Sequence, residues 1–207
     1  MPIQQFATAR GIKHLFHFTQ LGNLPSILAN GLLPTNHLDA NRVTAIRNDE
    51  QRIDGTTGIC LSISFPNYKL FYPFRMNSPE AQWVVLAIKP NVLWEKDCAF
   101  CRENAAKAEV TSIPLNTRRT LPALHAMFDD FPGVPRASLA VPENYPTHPQ
   151  AEILVFEPIP PQDIVAVVFN DQALYRQYKA MNLQQQMVYN TSYFSARRDF
   201  DKWRANG

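Results

Sequence analysis

Cysteine and charged residues are scarce in this chain of 207 residues. Its three cysteines cannot form a disulfide framework in a chain of this length, and charged residues make up only 18%. Cys98 and Cys101 form one CxxC, but no further ligands lie nearby to complete a zinc site. We therefore interpret both as small apolar side chains and predict no metal. With 45% apolar residues and a net charge of +2, the composition predicts a packed globular chain and excludes disorder over most of it.

Long apolar runs and the common catalytic motifs are also missing. No run reaches the roughly 18 apolar residues that span a bilayer, and residues 1–14 lack the apolar core of a signal peptide. The sequence contains no GxxxxGK[ST], GxGxxG, GxSxG or HExxH motif. These absences predict a cytoplasmic protein without membrane contact, and they disfavour P-loop and ordinary Rossmann chemistry.

Proline, by contrast, is abundant, with 17 prolines against seven glycines. Because proline fixes φ and removes an amide donor, we expect short elements joined by rigid, irregular connections. The length fits one domain over residues 1–207. Crossover helices are mostly missing, which favours an α+β fold with antiparallel strands. The patterns predict strands at 14–19, 58–65, 82–88, 151–156, 164–169 and 187–194, helices at 21–30, 103–109, 118–131 and 171–181, a loop with a short helix at 35–54, and a plain connection at 68–76.

Polar residues at strand positions are the candidates for chemistry. His17 and Thr19 lie two apart on one predicted strand, so their side chains share a face that can hold one ligand. The alternative for His17 is an edge histidine that bonds to a neighbouring loop. Glu152 opens an apolar strand, where a carboxylate is either solvent-facing or retained to bind something. Arg52 is a solvated surface charge unless the fold brings it near His17 and Glu152.

Taken together, these segments resemble the DarT family of ADP-ribosyltransferases, toxins that use NAD to modify bases in DNA. The resemblance covers about residues 12–180 and depends on the order of short motifs. The sequence departs from the family at residues 57–65, where family members carry a His-Asp-Tyr-Val-Pro-Phe-Tyr-Phe strand, which indicates a divergent branch. The matching pieces are residues 17–19, 24–32, Arg52, 59–65 and 150–155.

The resemblance implies a fold, a reaction and a set of residue roles. The fold would be two small packed, mainly antiparallel sheets with peripheral helices. The reaction would transfer ADP-ribose from NAD to a nucleobase, foremost in single-stranded DNA, and release nicotinamide without a metal. Glu152 would be the catalytic carboxylate that holds the ribose 2′-hydroxyl as the nicotinamide bond breaks. The other implied roles are NAD binding by His17, Thr19, Asn23 and Arg52, catalytic assistance by Arg52, and substrate contacts by Tyr145, His148 and Arg75.

The acceptor contacts have alternatives. Tyr145 and His148 precede Glu152 in a proline-rich segment, where an aromatic side chain either stacks on a base or simply packs. Arg75 lies in an aromatic stretch, and it either follows a nucleic-acid backbone or is a solvated charge. The same two readings apply to a basic cluster near the C-terminus, Arg197, Arg198, Lys202 and Arg204.

Other functions stay open from the sequence. A transferase of the same fold could modify RNA, a protein or a small molecule, and a module that has lost catalysis could bind nucleotide or nucleic acid without chemistry. The implied partners are single-stranded DNA, with RNA as the alternative, and an antitoxin with a macrodomain that removes the mark. The acceptor base, the oligomeric state and the identity of the antitoxin are left open by the sequence.

Overall fold

Strands and short helices alternate along residues 2–47 and 55–204, the part of the chain that the structure, a computed structural model, describes. The strands are β1 (Leu15–Gln20), β2 (Ile59–Ile63), β3 (Trp83–Ile88), β4 (Cys98–Cys101), β5 (Glu152–Val155), β6 (Ile164–Phe169) and β7 (Gln186–Tyr189). The helices are α1 (Pro2–Ala9), α2 (Leu24–Asn30), α3 (Thr35–Ala40), α4 (Tyr68–Asn77), α5 (Val92–Glu95), α6 (Ala108–Thr111), α7 (Leu115–Arg118), α8 (Leu121–Ala126), α9 (Gln172–Lys179) and α10 (Phe200–Arg204).

The strands of the described residues form one seven-stranded sheet in the order β4-β5-β2-β1-β3-β6-β7. Every neighbouring pair is antiparallel except β6 and β7, which are parallel. The α+β class and the mainly antiparallel pairing are therefore confirmed. The expected division into two separate sheets is not, because β1 and β2 still pair at one end and join the two halves.

β1 pairs with β2 over a shorter length than with β3. The pairing with β2 contains two register pairs, Leu15 with Ile63 and Phe16 with Ser62, whereas β1 and β3 pair along six positions. Beyond Phe16 the two strands no longer pair, so the sheet opens between the second half of β1 and the first half of β2. Backbone polar groups exposed by such an opening need other partners.

Both faces of the sheet are covered, which explains the apolar strands. β3 is buried at all six positions, as expected for a central strand packed on both sides. Alternate residues of β1 and β3 point to opposite faces. One face packs against α1, α5 and α8 around Leu15 and Leu86, and the other packs against α4 around Phe16 and Val85.

The predicted stop of the helix after β1 is confirmed at Gly31. Its φ of +80° lies in the region that favours glycine, and a Cβ there would collide with the carbonyl of Ile159. The close approach allows Leu32 to bridge to Ile159 through two backbone hydrogen bonds of 2.9 Å. The first three residues of the predicted helix, Leu21–Asn23, form a 3-10 turn instead.

The segment at 68–76 was expected to be a plain connection, and that prediction is wrong. It forms α4, which begins after Asn67, whose side chain accepts a hydrogen bond from the Leu70 N–H. Pro73 inside the segment argues against a helix on sequence grounds. The helix forms nevertheless because Phe71, 1% exposed, packs against the sheet.

Several other boundaries differ from the prediction. The helix expected at 103–109 is wrong over most of its length, because α6 begins only at Ala108 and ends at Thr111. The helix expected at 118–131 shortens to α8, which Thr120 caps, and α7 before it begins after Pro114. Strand 187–194 ends at Tyr189 and continues as a 3-10 turn. In the loop region expected at 35–54, the structure describes α3, which ends at Ala40.

The two cysteines of the CxxC lie on β4, a strand that the sequence patterns did not predict. Both thiols are buried and neither belongs to a disulfide, and burial raises the pKa of Cys98 to about 12. Within residues 2–47 and 55–204, no cluster of three or more His, Cys, Asp or Glu side chains could hold a metal ion. Over the same residues, no helix is long and apolar enough to cross a membrane.

Candidate active site

A cavity of about 450 Å³ opens where β1 and β2 separate. Its walls come from β1, α2, β2, the start of α4, the loop after β4 and the first residue of β5. A volume of this size is typical of small-molecule sites. The cavity brings together four of the residues predicted from the sequence, His17, Thr19, Asn23 and Glu152.

Glu152 lies at the wall of the cavity with only 4% of its surface exposed. It begins β5, where it pairs with Cys101 of β4. Its Oε1 accepts a hydrogen bond of 3.1 Å from Asn67 Nδ2, and its Oε2 accepts one of 2.9 Å from the Ala105 N–H. A solvent-facing strand end is thereby excluded, and the carboxylate is held by donors on two different segments.

His17 occupies the gap between the separating strands. Its Nδ1 lies 2.9 Å from the Cys60 carbonyl oxygen. This side-chain contact replaces the backbone hydrogen bond that pairing of β1 with β2 would have formed. Because a carbonyl can only accept, Nδ1 carries the proton, and in the neutral ring Nε2 is an acceptor. Burial lowers the pKa of His17, and the bond to Cys60 only partly opposes that effect. The neutral ring is therefore the form expected at pH 7.

Thr19 and Asn23 form a buried pair on the same side of the cavity. Asn23 Nδ2 donates to Thr19 Oγ1 at 2.9 Å, and the same nitrogen donates to the Ile46 carbonyl at 2.9 Å. Asn23 Oδ1 accepts from the Ile46 N–H at 2.7 Å. Arg47, the next residue, lines the cavity and forms an ion pair with Asp39. One amide thus fixes a strand residue and the segment that follows α3.

The arrangement combines a buried carboxylate, a neutral imidazole and a hydroxyl around one cavity. A carboxylate can hold a sugar hydroxyl and stabilise positive charge on the sugar, while the imidazole and hydroxyl can orient other groups of the same ligand. Arg52, the remaining cofactor candidate, lies outside the described residues.

Comparison with protein families identifies the chain. Residues 16–195 match the family model described as "ssDNA thymidine ADP-ribosyltransferase, DarT". The chain belongs to the DarT family. The matched residues include every candidate of the site from His17 to Glu152, so the resemblance stated from the sequence is confirmed. No curated protein matches the sequence.

Solved DarT structures share the fold at low sequence identity. Thermus sp. 2.9 DarT in complex with carba-NAD+ has a TM-score of 0.59 at 14% identity over 88% of this chain and 98% of its own. The complex of that DarT with ADP-ribosylated ssDNA gives 0.57 at 14% identity, over 89% and 97%. Thermosipho africanus DarTG in complex with ADP-ribose gives 0.59 at 16% identity over 88% of this chain, which spans 51% of that longer chain.

The predicted substrate residues of this DarT-family chain lie outside the cavity lining. His148 is 7% exposed and packs its ring 4.6 Å from those of Phe131 and Trp203. Arg75 donates to the Phe194 carbonyl at 2.6 Å and lies over the Phe71 ring. Both side chains are engaged in packing.

Tyr145, like Arg75, is half-buried. Its ring lies 5.9 Å from that of Phe65, and the guanidinium of Arg197 lies 5.8 Å from its centre. Two arginines hold the segment around it. Arg136 donates to the carbonyls of Pro142 and Tyr145, and Arg197 donates to those of Pro146 and Thr147.

Arg197 is not part of a solvated basic cluster. It is buried in an ion pair with Asp199, which also accepts from Trp203 Nε1 at 2.8 Å. The other basic residues of that cluster, Arg198, Lys202 and Arg204, are exposed. These residues follow the end of the DarT family match at 195.

Sequence reasoning missed two hydrogen-bond donors to Glu152, Asn67 and Ala105. Asn67 lies four residues after the end of β2 and directly before α4. An asparagine at this position is a capping signal, but it was not used because residues 68–76 were expected to be a connection. Ala105 contributes only its backbone N–H, which has no signal in the sequence. The Asn104 side chain accepts from the Ala106 N–H at 2.8 Å and shapes the turn that presents Ala105.

Proposed function

We propose that this DarT-family chain transfers ADP-ribose from NAD to a thymidine base of single-stranded DNA, as a single-domain bacterial toxin of the cytoplasm. The observation that carries the proposal is the buried Glu152 carboxylate in the wall of a cavity that also presents His17 and Thr19. The family match names the acceptor class. Solved relatives have been captured with NAD+ and with ADP-ribosylated ssDNA, which supports the same two substrates here.

In this reaction the bond between the ribose C1′ and the nicotinamide nitrogen breaks. Its electron pair leaves with nicotinamide, which becomes neutral. A nucleophilic atom of the thymine base forms the new bond to C1′ and gives up its proton to solvent. Glu152 would accept the ribose 2′-hydroxyl proton in a hydrogen bond and stabilise the oxocarbenium character that develops on the sugar.

NAD binding is assigned to the residues on β1 and after it. The unprotonated Nε2 of His17 would accept a hydrogen bond from a ribose hydroxyl, because its Nδ1 proton is committed to Cys60. The Thr19 hydroxyl accepts from Asn23 and keeps its own proton to donate to the nicotinamide amide carbonyl. Asn23 would support both Thr19 and the segment at Ile46. Arg52 would contact the phosphates and assist catalysis.

The acceptor is assigned to the segment before Glu152. Tyr145 remains the proposed contact with a base, because its ring is half-exposed and sits on a loop held by two arginines. His148 and Arg75 are engaged in packing, so we propose that they shape this surface rather than contact the base. An antitoxin with a macrodomain is the proposed partner, supported by the likeness to a chain named DarTG of which this chain spans about half.

The test uses NAD that carries a radiolabel in its adenylate phosphate. The protein is incubated with a thymidine-containing single-stranded DNA, the same DNA with cytidine at each thymidine, and the matching RNA. We expect label only on the first, with an equal amount of nicotinamide released. Label only on RNA or on a polypeptide would contradict the proposed acceptor. Binding of NAD without cleavage, by protein shown to be folded, would contradict the proposed activity.

A further inference from the structure

The orientation of Asn67 beside Glu152 is determined by its surroundings. Asn67 is 1% exposed and caps α4 by accepting the Leu70 N–H on Oδ1 at 3.1 Å. Because that N–H can pair only with the oxygen, the amide nitrogen must face the other way. That nitrogen donates to Glu152 Oε1 at 3.1 Å. The flipped amide would oppose oxygen to carboxylate and nitrogen to N–H, so it is excluded.

The backbone at Asn67 is held as firmly as its side chain. Its N–H donates to Ser62 Oγ at 3.1 Å, and Ser62 belongs to β2 at the junction with β1. Between these two residues the Phe65 N–H donates to the Ile63 carbonyl at 2.7 Å, which closes a three-residue turn around Ser64. Ser64 has a φ of +61°, an unfavourable conformation for a residue other than glycine.

Strained backbone of this kind persists where the surrounding structure requires it, and it concentrates at functional sites. Here the turn at Ser64 directs the chain from β2 into the cap of α4 and brings Asn67 next to the carboxylate. A helix cap alone does not require asparagine or a nearby carboxylate, since serine or aspartate caps a helix equally well. Capping of α4 therefore does not explain why residue 67 is an amide whose nitrogen donates to Glu152.

We propose that Asn67 is a positioning residue for Glu152. This inference rests on the proposed function, in which Glu152 is the catalytic carboxylate. The Asn67 amide keeps the carboxylate ionised and fixes Oε1, while the Ala105 N–H fixes Oε2, so that the carboxylate faces the ribose without rearrangement. Hydrogen bonds donated to a carboxylate favour its charged form. Loss of the Asn67 donor therefore makes Glu152 harder to ionise and less well oriented.

The experiment compares Asn67→Ser with Asn190→Ser. Serine at 67 keeps a cap oxygen for Leu70 but has no nitrogen to reach Glu152. Asn190 caps the 3-10 turn Thr191–Phe194 through the Ser192 N–H, so N190S makes the same change at a cap away from the cavity. Steady-state kcat and KM for NAD are measured with a thymidine oligonucleotide across pH, and folding is checked by denaturant titration.

We expect N67S to lose about tenfold in kcat, the effect of one hydrogen bond to a charged group, with KM for NAD unchanged within about twofold. The acidic limb of its kcat–pH profile should move to higher pH, while N190S should match the wild type in both respects. A folded N67S with wild-type kcat and an unshifted acidic limb would overturn the proposal. If N67S does not fold, Asn67→Asp, which keeps the cap and the shape, is judged by the same two readouts.

The two proposals fail in different ways. If the wild-type protein transfers no ADP-ribose, the proposed function is wrong and Asn67 has no reaction to support. If the wild type is active, Glu152→Gln is inactive and N67S is indistinguishable from the wild type, only the role of Asn67 is wrong.

Discussion

The side chain of Asn23 forms two hydrogen bonds with the backbone of Ile46, accepting from its N–H at 2.7 Å and donating to its carbonyl at 2.9 Å. The amide thus behaves like a neighbouring β-strand toward this residue. It ties the segment between α3 and residue 47 to the wall of the cavity, next to Thr19. A single buried side chain therefore organises one side of the proposed NAD site.

Removal of the Asn23 donor should weaken NAD binding. In Asn23→Asp the acceptor for the Ile46 N–H remains, but both hydrogen bonds from Nδ2 are lost. We expect the Kd for carba-NAD, which is not cleaved, to rise about tenfold, because a buried hydrogen bond is worth roughly 1 kcal/mol or more. Calorimetric titration measures this directly. Asn116→Asp, the same change at an exposed residue, should bind like the wild type, and an equally tight N23D would contradict the assignment.

The His148 ring should make stability depend on pH. Burial, followed by the charges of Lys69 and Arg197, lowers its pKa from 6.5 to about 3. Between these values the unfolded chain binds a proton that the folded chain does not, so the free energy of unfolding decreases as pH falls from about 6.5 toward 3. His148→Asn keeps an acceptor for the Gln150 N–H and removes the titration.

Urea titrations between pH 7 and pH 4 check this prediction. The wild type should lose stability more steeply than H148N, whatever their difference at pH 7. Equal slopes would show that His148 titrates alike in the folded and unfolded chains.

The buried ion pair between Arg197 and Asp199 should be essential for stability. The two side chains are 3% and 0% exposed, so Asp199→Asn leaves a buried guanidinium without a counter-charge. We expect a loss of about 3–5 kcal/mol in the free energy of unfolding, measured with denaturant. Asp201→Asn, at a side chain 89% exposed, should change it by less than about 0.5 kcal/mol. A loss below about 1 kcal/mol in D199N would contradict this role.

His17 and Thr19 could be found from the sequence because they lie on a strand whose alternation is visible locally, and Glu152 because it opens a short apolar run. The ordered motifs of the resemblance then supplied their roles. The joining of the strands into one sheet could not be found in this way, because it depends on two register pairs between β1 and β2 that are far apart in sequence.

The two donors to Glu152, Asn67 and Ala105, could not be predicted from the sequence for other reasons. The helix that Asn67 caps contains Pro73, so local rules favoured a connection, while the packing of Phe71 on the sheet decides for a helix. Ala105 donates through its backbone N–H, which every residue except proline has, so the residue type at this position carries no signal. The position of His148 in a proline-rich segment predicts an acceptor contact, whereas its burial between Phe131 and Trp203 arises from contacts distant in sequence.

The proposed role of Glu152 is to drive transfer of ADP-ribose to single-stranded DNA. Its most direct test is mass spectrometry of a thymidine oligonucleotide after incubation with NAD and the wild type, Glu152→Gln or Glu157→Gln. Glu157 follows the same strand but is exposed and does not line the cavity, so E157Q controls for the loss of a charge. We predict the added mass of an ADP-ribosyl group with the wild type and E157Q, and a rate at least about a hundredfold lower with E152Q. Equal modification by E152Q and the wild type would contradict the account.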